Sequence, residues 1–364
     1  MIIKDIIDHL ELLAPRTYAQ DFDNTGLLTG SMDTKVTGIL TTLDCLENVV
    51  DEAIENNCNL IVAFHPIIFK GLKHLQPTDY VRKAVVKAIK NDIAIYATHT
   101  ALDVAKGGVS YRMASELGLQ DVLTLVPKKG LIKKLTAYIP EENFTQVRDA
   151  LFVAGAGSLG NYSECSFSTA GQGTFKGNEH SNPRIGERGT LETVKEKQLN
   201  ITYLPHVEKA VLNALVAAHP YEEVAYEITV LENAYQDIGL GAIGSFAAPM
   251  KKEGFLALTK SVFKCGVIRS SLTRKQNIQK VAVLGGSGAF AINNAIAAGA
   301  DAYITADLKY HDFFMGSETL LCDIGHYESE QFTKNLLHEY LSNKFSSFAI
   351  LCARAQTNPV NYYY

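Results

Sequence analysis

The sequence has no C-x-x-C pair, no apolar run near the length of a membrane span, and no excess of basic over acidic side chains. Each absence excludes something. The six cysteines, Cys45, Cys58, Cys165, Cys265, Cys322 and Cys352, are scattered singly along 364 residues. That pattern reads as reduced, mostly buried thiols in a cytoplasmic protein. No window approaches the roughly 18 apolar residues of a membrane helix. The apolar start is broken by charges, and Ile3, Ile6, Ile7 and Leu10 follow helical spacing, as in an amphipathic first helix rather than a secretory signal. With 34 Lys and Arg against 39 Asp and Glu, the formal charge is −5, the wrong sign for a polyanion-binding surface, so nucleic acid is disfavoured as a partner. The pairs Lys128-Lys129 and Lys133-Lys134 fall far short of a nucleic-acid stripe. There is no G-x-S-x-G elbow, no cysteine in a nucleophile context, no short-period repeat and no low-complexity tract.

What is present is an ordinary globular composition, 47% apolar and 20% charged, over a length that suits two or three domains. Residues 38–43, 60–64 and 93–97 are apolar strand-like runs, and residues 46–56 and 81–90 between them are amphipathic helices. Such alternation predicts βαβ units and a mainly parallel sheet. The pattern changes near Pro127. Residues 131–139, 141–153, 201–204, 207–218 and 224–230 read as strand, helix, strand, helix and strand, with a Gly-, Ser- and Thr-rich stretch of strands and exposed loops from 155 to 189. This order predicts a separate ferredoxin-like α+β unit at 128–235. Parallel-type patterning then resumes with strands at 281–284, 302–305 and 320–324. The expected organisation is a βα core, 1–127 and 236–364, split by an inserted domain.

In parallel sheets, binding groups collect beyond the carboxyl ends of strands. Three predicted strand ends carry metal-type ligands: His65-Pro66, His99 through Asp103, and His326 through Glu330. Imidazole and carboxylate from separate strand ends suit Zn²⁺, Fe²⁺, Mn²⁺ or Ni²⁺, and the absence of cysteine from the set argues against a structural zinc knuckle. His326-x-x-x-Glu330 spans about one helical turn, so both heads can face one ion if Glu330 lies in the first turn of the last helix. A first-turn acid complementing the helix dipole beside a loop histidine is the alternative.

A second candidate is Gly285-Gly286-Ser287-Gly288 before a predicted helix. It reads as a phosphate-binding turn or as a tight βα turn with glycine for steric reasons. Asp307, Lys309 and His311 form a cluster that suits substrate contacts or proton transfer, or surface ion pairs. His219-Pro220-Tyr221-Glu222-Glu223 is either a ligand or subunit contact or a helix-to-strand turn.

Together these strings resemble the NIF3-like (DUF34) proteins, widely named GTP cyclohydrolase 1 type 2 homologues. The matching segments are Asp21 to Leu27, Phe64 to Phe69, His99 to Asp103, Thr305 to His311 and Asp323 to Glu330. Gly171 to Phe175 and His219 to Glu223 are similar to the CutA/PII-like insertion of the longer members. The resemblance implies a NIF3-like α/β fold, two α/β halves around a metal cleft, with an inserted PII/CutA-like domain. It also implies a homohexamer and one or two divalent ions per subunit. The implied ligands are His65, Asp103, His326 and Glu330, with Asp103 bridging and His99 alongside. The family usually has two histidines before the proline, and Phe64 replaces the first here. The implied activity is hydrolysis of a purine nucleotide or related small molecule by metal-bound hydroxide. In the cyclohydrolase case the attack falls on C8 of guanine and releases formate, with Glu330 or His99 relaying a proton and Asp307, Lys309 and His311 on substrate. The alternative is a metal- or nucleotide-binding regulatory hexamer without catalysis.

Overall fold

The computed structural model describes residues 1–363. The chain divides into two compact units, one made of Met1–Pro127 and the chain from Gln236 onward, the other of Lys128–Tyr235.

The first unit contains two mixed sheets. In the five-stranded sheet the spatial order is Gly26–Thr29, Ala94–Ala97, Leu60–Ala63, Ile39–Thr42, Ile350–Cys352. All pairs are parallel except the first, where Gly26–Thr29 runs antiparallel to Ala94–Ala97. The three central strands are buried at every position, which is what a parallel strand covered on both faces requires and why they read as continuous apolar runs. The helix Ile3–Leu13 buries Ile3, Ile6, Ile7 and Leu10 into one side of this sheet. The helices Glu47–Glu55 and Tyr80–Lys90 supply Val49, Val50, Ala53, Ala84, Val85 and Ala88 to the core on the other.

The six-stranded sheet has the order Arg269–Ser270, Leu320–Asp323, Ala302–Ala306, Asn277–Ser287, Ala234–Lys251, Gln120–Lys129. Its three consecutive strands from Leu320–Asp323 to Asn277–Ser287 are parallel. The strands flanking them, Arg269–Ser270 and Ala234–Lys251, pair antiparallel. The expectation of a mainly parallel sheet therefore holds for the five-stranded sheet except at Gly26–Thr29 and for the centre of the six-stranded sheet, and fails at the latter's flanks. The sequence reading lacks the 18-residue strand Ala234–Lys251. Its signal is broken by Gly241 at φ +72° and by a register shift between Ser245 and Met250, so no single alternation runs its length.

The second unit has the chain order β-α-β-β-α-β: strand Lys133–Pro140, helix Phe144–Val153, strands Ser166–Lys176 and Leu191–Tyr203, helix Glu208–Ala218, strand Tyr226–Val230. Across the sheet the order is Ser166–Lys176, Leu191–Tyr203, Lys133–Pro140, Tyr226–Val230, all antiparallel. Leu135, Ala137, Ile139, Leu199, Ile201 and Tyr203 pack one sheet face against Val147, Leu151, Val211 and Leu215 of the helices.

Candidate metal centre

The carboxyl ends of the central parallel strands of both sheets supply the site. Beyond Ile39–Thr42, Leu60–Ala63 and Ala94–Ala97 come Asp44, His65 and His99. At or beyond the ends of Asn277–Ser287, Ala302–Ala306 and Leu320–Asp323 come Ser287, Asp307 and the pair His326 and Glu330. The ladder continues past the strand ends: His65 N–H donates to Leu43 O at 2.9 Å and His99 N–H to Phe64 O at 2.9 Å. This holds the first three side chains on adjacent rows.

His326 and Glu330 are the first and last residues of a short helix, His326–Glu330, separate from the following Thr333–Lys344. This corrects the placement of Glu330 in the first turn of the last helix. The break has a local cause. The Gln331 side-chain amide donates to Glu328 O at 3.1 Å and to Phe263 O at 2.6 Å, taking up a carbonyl that a continuous helix would use. The i, i+4 geometry survives, and both side chains face the same point.

Nε2 of His65 lies 3.1 Å from Glu330 Oε2, and Nε2 of His326 lies 3.2 Å from the same oxygen. Neither approach has hydrogen-bond geometry, and Glu330 Oε2 is buried with no hydrogen-bond partner. Three ligand atoms within 4.8 Å of one another thus converge on a shared point, the oxygen at ion-pair distance from both nitrogens. In the chain itself only charge attraction from the two rings, without an aligned hydrogen bond, compensates this buried oxygen. Two nitrogens and an oxygen aimed at one place match the donors a borderline divalent ion takes, so the residues fit a metal.

The other ring nitrogens are fixed by carboxylates. His65 Nδ1 is 2.8 Å from Asp44 Oδ1, and His326 Nδ1 is 2.7 Å from Asp307 Oδ2. Carboxylates on Nδ1 set the tautomer that leaves Nε2 for the ion. His99 follows the same pattern, with Nδ1 2.7 Å from Asp23 Oδ1 and its ring 5.5 Å from that of His65. Asp23 in turn accepts hydrogen bonds from Thr100 N–H and its hydroxyl. Backbone strain collects here: His99 has φ +31° and Asp307 φ +57°, a region that side chains other than glycine rarely enter.

Without a metal, the charges are strongly coupled. Burial pushes the Glu330 carboxyl up, but the two neighbouring imidazoles outweigh it and hold it at about 2. Burial would lower His65, yet Asp44 and Glu330 raise it to about 10. His326 is raised to about 9, chiefly by Glu330. Asp307 stays below the usual carboxylate range, because Ser287 and His326 outweigh its partial burial.

Asp103 ends the helix His99–Asp103, outside the group of three. Burial and the nearby Glu330 charge raise its carboxyl well above the usual range. Lys309 and His311 are exposed, and His311 sits edge-on to Tyr310 at 5.2 Å. Phe64 is fully buried, its ring 5.6 Å from that of His99. Asp44, Asp23 and Ser287 are the contributors that the sequence reading did not single out as site residues. Only Asp44 carries a readable signal, an acid two residues past the buried strand Ile39–Thr42; Asp23 lies before the strand Gly26–Thr29 and Ser287 ends its own.

The glycine turn resolves in favour of sterics. A Cβ at Gly286 would come within 2.4 Å of Glu330 Oε1, and its φ is +67°. Its N–H donates to Ser329 Oγ at 2.9 Å, so that amide is not available to a phosphate. The glycine is there to let Glu330 in.

A family model described as Duf34/NIF3 (NGG1p interacting factor 3) matches residues 1–359. The chain belongs to the Duf34/NIF3 family. A Bacillus subtilis relative named "GTP cyclohydrolase 1 type 2 homolog" is 37% identical over 368 aligned residues, covering 99% of this chain and 98% of the relative. A Staphylococcus epidermidis relative of the same name is 33% identical over the full length of both. The crystal structure of a Bacillus cereus protein related to NIF3 superposes with a TM-score of 0.85 at 37% identity, covering 100% of this chain and 99% of that one. Among the described residues of this Duf34/NIF3 protein, no helix is long and apolar enough to cross a membrane.

Proposed function

We propose that this protein is a metal-dependent hydrolase of the NIF3 type, acting on a purine nucleotide or a related small molecule. The observation that carries the reading is Glu330 Oε2, buried, without an aligned hydrogen bond, and 3.1 and 3.2 Å from two imidazole nitrogens whose far sides are fixed by carboxylates. His65, His326 and Glu330 would hold a divalent ion, Zn, Fe, Mn or Ni. Asp103 would join them, since its raised carboxyl ionises most readily beside an added cation. A bound ion of this kind supplies a Lewis acid and an activated water.

The chain's own groups do the rest. His99, with Asp23 fixing its Nδ1, is the group free to carry a proton at Nε2. Asp307 orients His326, which leaves Lys309 and His311 for substrate. A cavity of about 440 Å³ opens beside the centre, with Asp44 and His65 in its wall together with Phe69, Lys70, Tyr80 and Arg82. Aromatic and cationic side chains together suit a ring that bears anionic groups. By resemblance the protein is a cytoplasmic homohexamer, and the unit Lys128–Tyr235 is the PII/CutA-like insertion.

Turnover of GTP by metal-loaded protein, followed by formate release, tests the reading with His326→Ala as control. Unchanged activity in that variant removes this centre from the reaction. A second reading, a metal-binding regulator without turnover, is favoured by Phe64, whose buried ring offers no donor where the family usually has a histidine. Stoichiometric metal binding with no turnover of any purine nucleotide would select it.

A further inference from the structure

The unit Lys128–Tyr235 carries a cavity of its own, about 830 Å³, a size typical of small-molecule sites. It lies on the sheet face that the helices leave uncovered. Leu199, Ile201 and Tyr203 point toward the helices, so by alternation Glu196 and Gln198 point away. Their cross-strand partners Gly171 and Thr169 share that face. The floor is bare at Gly171, where an added Cβ meets nothing within 4 Å. At Gly173 an added Cβ would come within 2.1 Å of Glu196 Oε2, so the carboxylate lies across that glycine.

Glu196 is only 9% exposed, and its Oε1 accepts a hydrogen bond from the Tyr221 hydroxyl at 3.0 Å. Tyr221 and Phe175, edge-on with centroids 5.5 Å apart, form an aromatic wall. The opposite wall is the loop 177–190, tied down in two places. Gly189 N–H donates to Gly177 O at 2.8 Å, and Asn182 N–H donates to Glu222 Oε1 at 2.7 Å. The bowl is therefore preformed.

Its charge is unbalanced. His219, which supports Tyr221, accepts at Nδ1 from Tyr221 N–H at 3.2 Å and donates from Nε2 to Tyr138 O at 3.0 Å. Both ring nitrogens are thereby assigned, and the ring is neutral. Lys176 and Arg184 line the cavity but are exposed, and among the described residues no ion pair to Glu196 forms. A nearly buried carboxylate with no protein cation paired to it faces the cavity with its charge uncovered. A ligand cation held beside two aromatic faces complements it.

We propose that this cavity binds a small organic cation, a primary amine carried on a short apolar or aromatic body, with the ammonium on Glu196 and the body against Phe175 and Tyr221. The site shares no residue with the metal centre and does not depend on the hydrolase reading.

Benzylamine is the probe, and full-length protein is titrated by calorimetry and by saturation-transfer NMR. Saturable binding is expected, with benzyl alcohol and benzoate at least tenfold weaker. Glu196→Gln, which keeps the Tyr221 contact and removes the charge, weakens benzylamine at least tenfold. Gly171→Val fills the floor with a strand-favouring side chain and abolishes binding, at an unchanged melting temperature. His326→Ala binds benzylamine as the parent does. The proposal is overturned if benzylamine shows no saturable binding, or if benzyl alcohol matches it. It is equally overturned if Glu196→Gln binds as the parent does, or if His326→Ala loses the probe.

Discussion

Metal binding at His65, His326 and Glu330 should release at least two protons at neutral pH. In the metal-free protein the His65 and His326 imidazoles are raised to about 10 and about 9 by Asp44, Glu330 and Asp307, while Glu330 is held at about 2. At pH 7 both rings carry a proton on Nε2, the nitrogen the ion needs, and Glu330 has none to give. An ion therefore displaces two protons from the rings, and Asp103, raised by its burial, gives up any proton it carries when it joins the ion. Two ordinary histidines with pKa about 6.5 would each be about one-quarter protonated at pH 7, releasing only about half a proton in total. The assay is calorimetric titration of chelator-stripped protein with Zn²⁺ or Mn²⁺ in buffers of different ionisation enthalpy, whose slope counts protons. The logarithm of the apparent affinity should also rise by at least two per pH step below pH 9 and flatten above pH 10. A release near half a proton would show that Glu330 is not coupled to the two rings as the 3.1 and 3.2 Å separations require, and the convergence argument would fail with it.

Other expectations follow from the same geometry. Asp44→Asn or Asp307→Asn leaves each histidine in place but removes the carboxylate on Nδ1, and metal affinity measured by competition with a chelator should fall about 10- to 100-fold. Gly286→Ala meets Glu330 Oε1 at 2.4 Å on a backbone with φ +67°. It should cost more than about 1 kcal/mol in denaturant unfolding and weaken the metal as well. Metal-free protein should lose stability in acid because the Glu330 carboxyl falls from an ordinary 4.5 to about 2 on folding. A depressed carboxylate stabilises the fold above pH 4.5 and loses that contribution as pH falls through about 2. The amount is roughly 3 kcal/mol, and Glu330→Gln should flatten that stretch of the stability–pH curve.

The strands that build the centre were legible because parallel strands buried on both faces leave continuous apolar runs, and Leu60–Ala63 and Leu320–Asp323 are such runs. His65 and His326 were legible for the same reason: polar side chains directly after such runs sit at a sheet's carboxyl edge. The antiparallel flanks were not. Ala234–Lys251 mixes buried and exposed positions across a bulge, and Arg269–Ser270 is two residues long, so neither leaves a period to read. Asp44 and Asp23 were hidden differently. A single acid in a loop is common, and only the fold shows that these two face ring nitrogens from strands 21 and 76 residues away.

That distinction bears on how the centre works. Each histidine near the proposed ion reaches a carboxylate through Nδ1: His65 to Asp44, His326 to Asp307, His99 to Asp23. Asp307 belongs to one sheet and Asp44 and Asp23 lie beside the other, while Glu330 stands between the rings of His65 and His326. With no ion, Glu330 holds two protonated rings; with an ion, it would hold the metal and the carboxylates would hold neutral rings. The same five side chains, His65, His326, Glu330, Asp44 and Asp307, satisfy both states, so exchanging two ring protons for one divalent cation leaves their summed charge unchanged. A centre built this way needs no rearrangement of its backbone to load. The backbone of Duf34/NIF3 protein stripped of metal should superpose on the loaded form at His65, Asp307 and Glu330, and a displaced His326–Glu330 helix in the stripped crystal would refute the charge-exchange account.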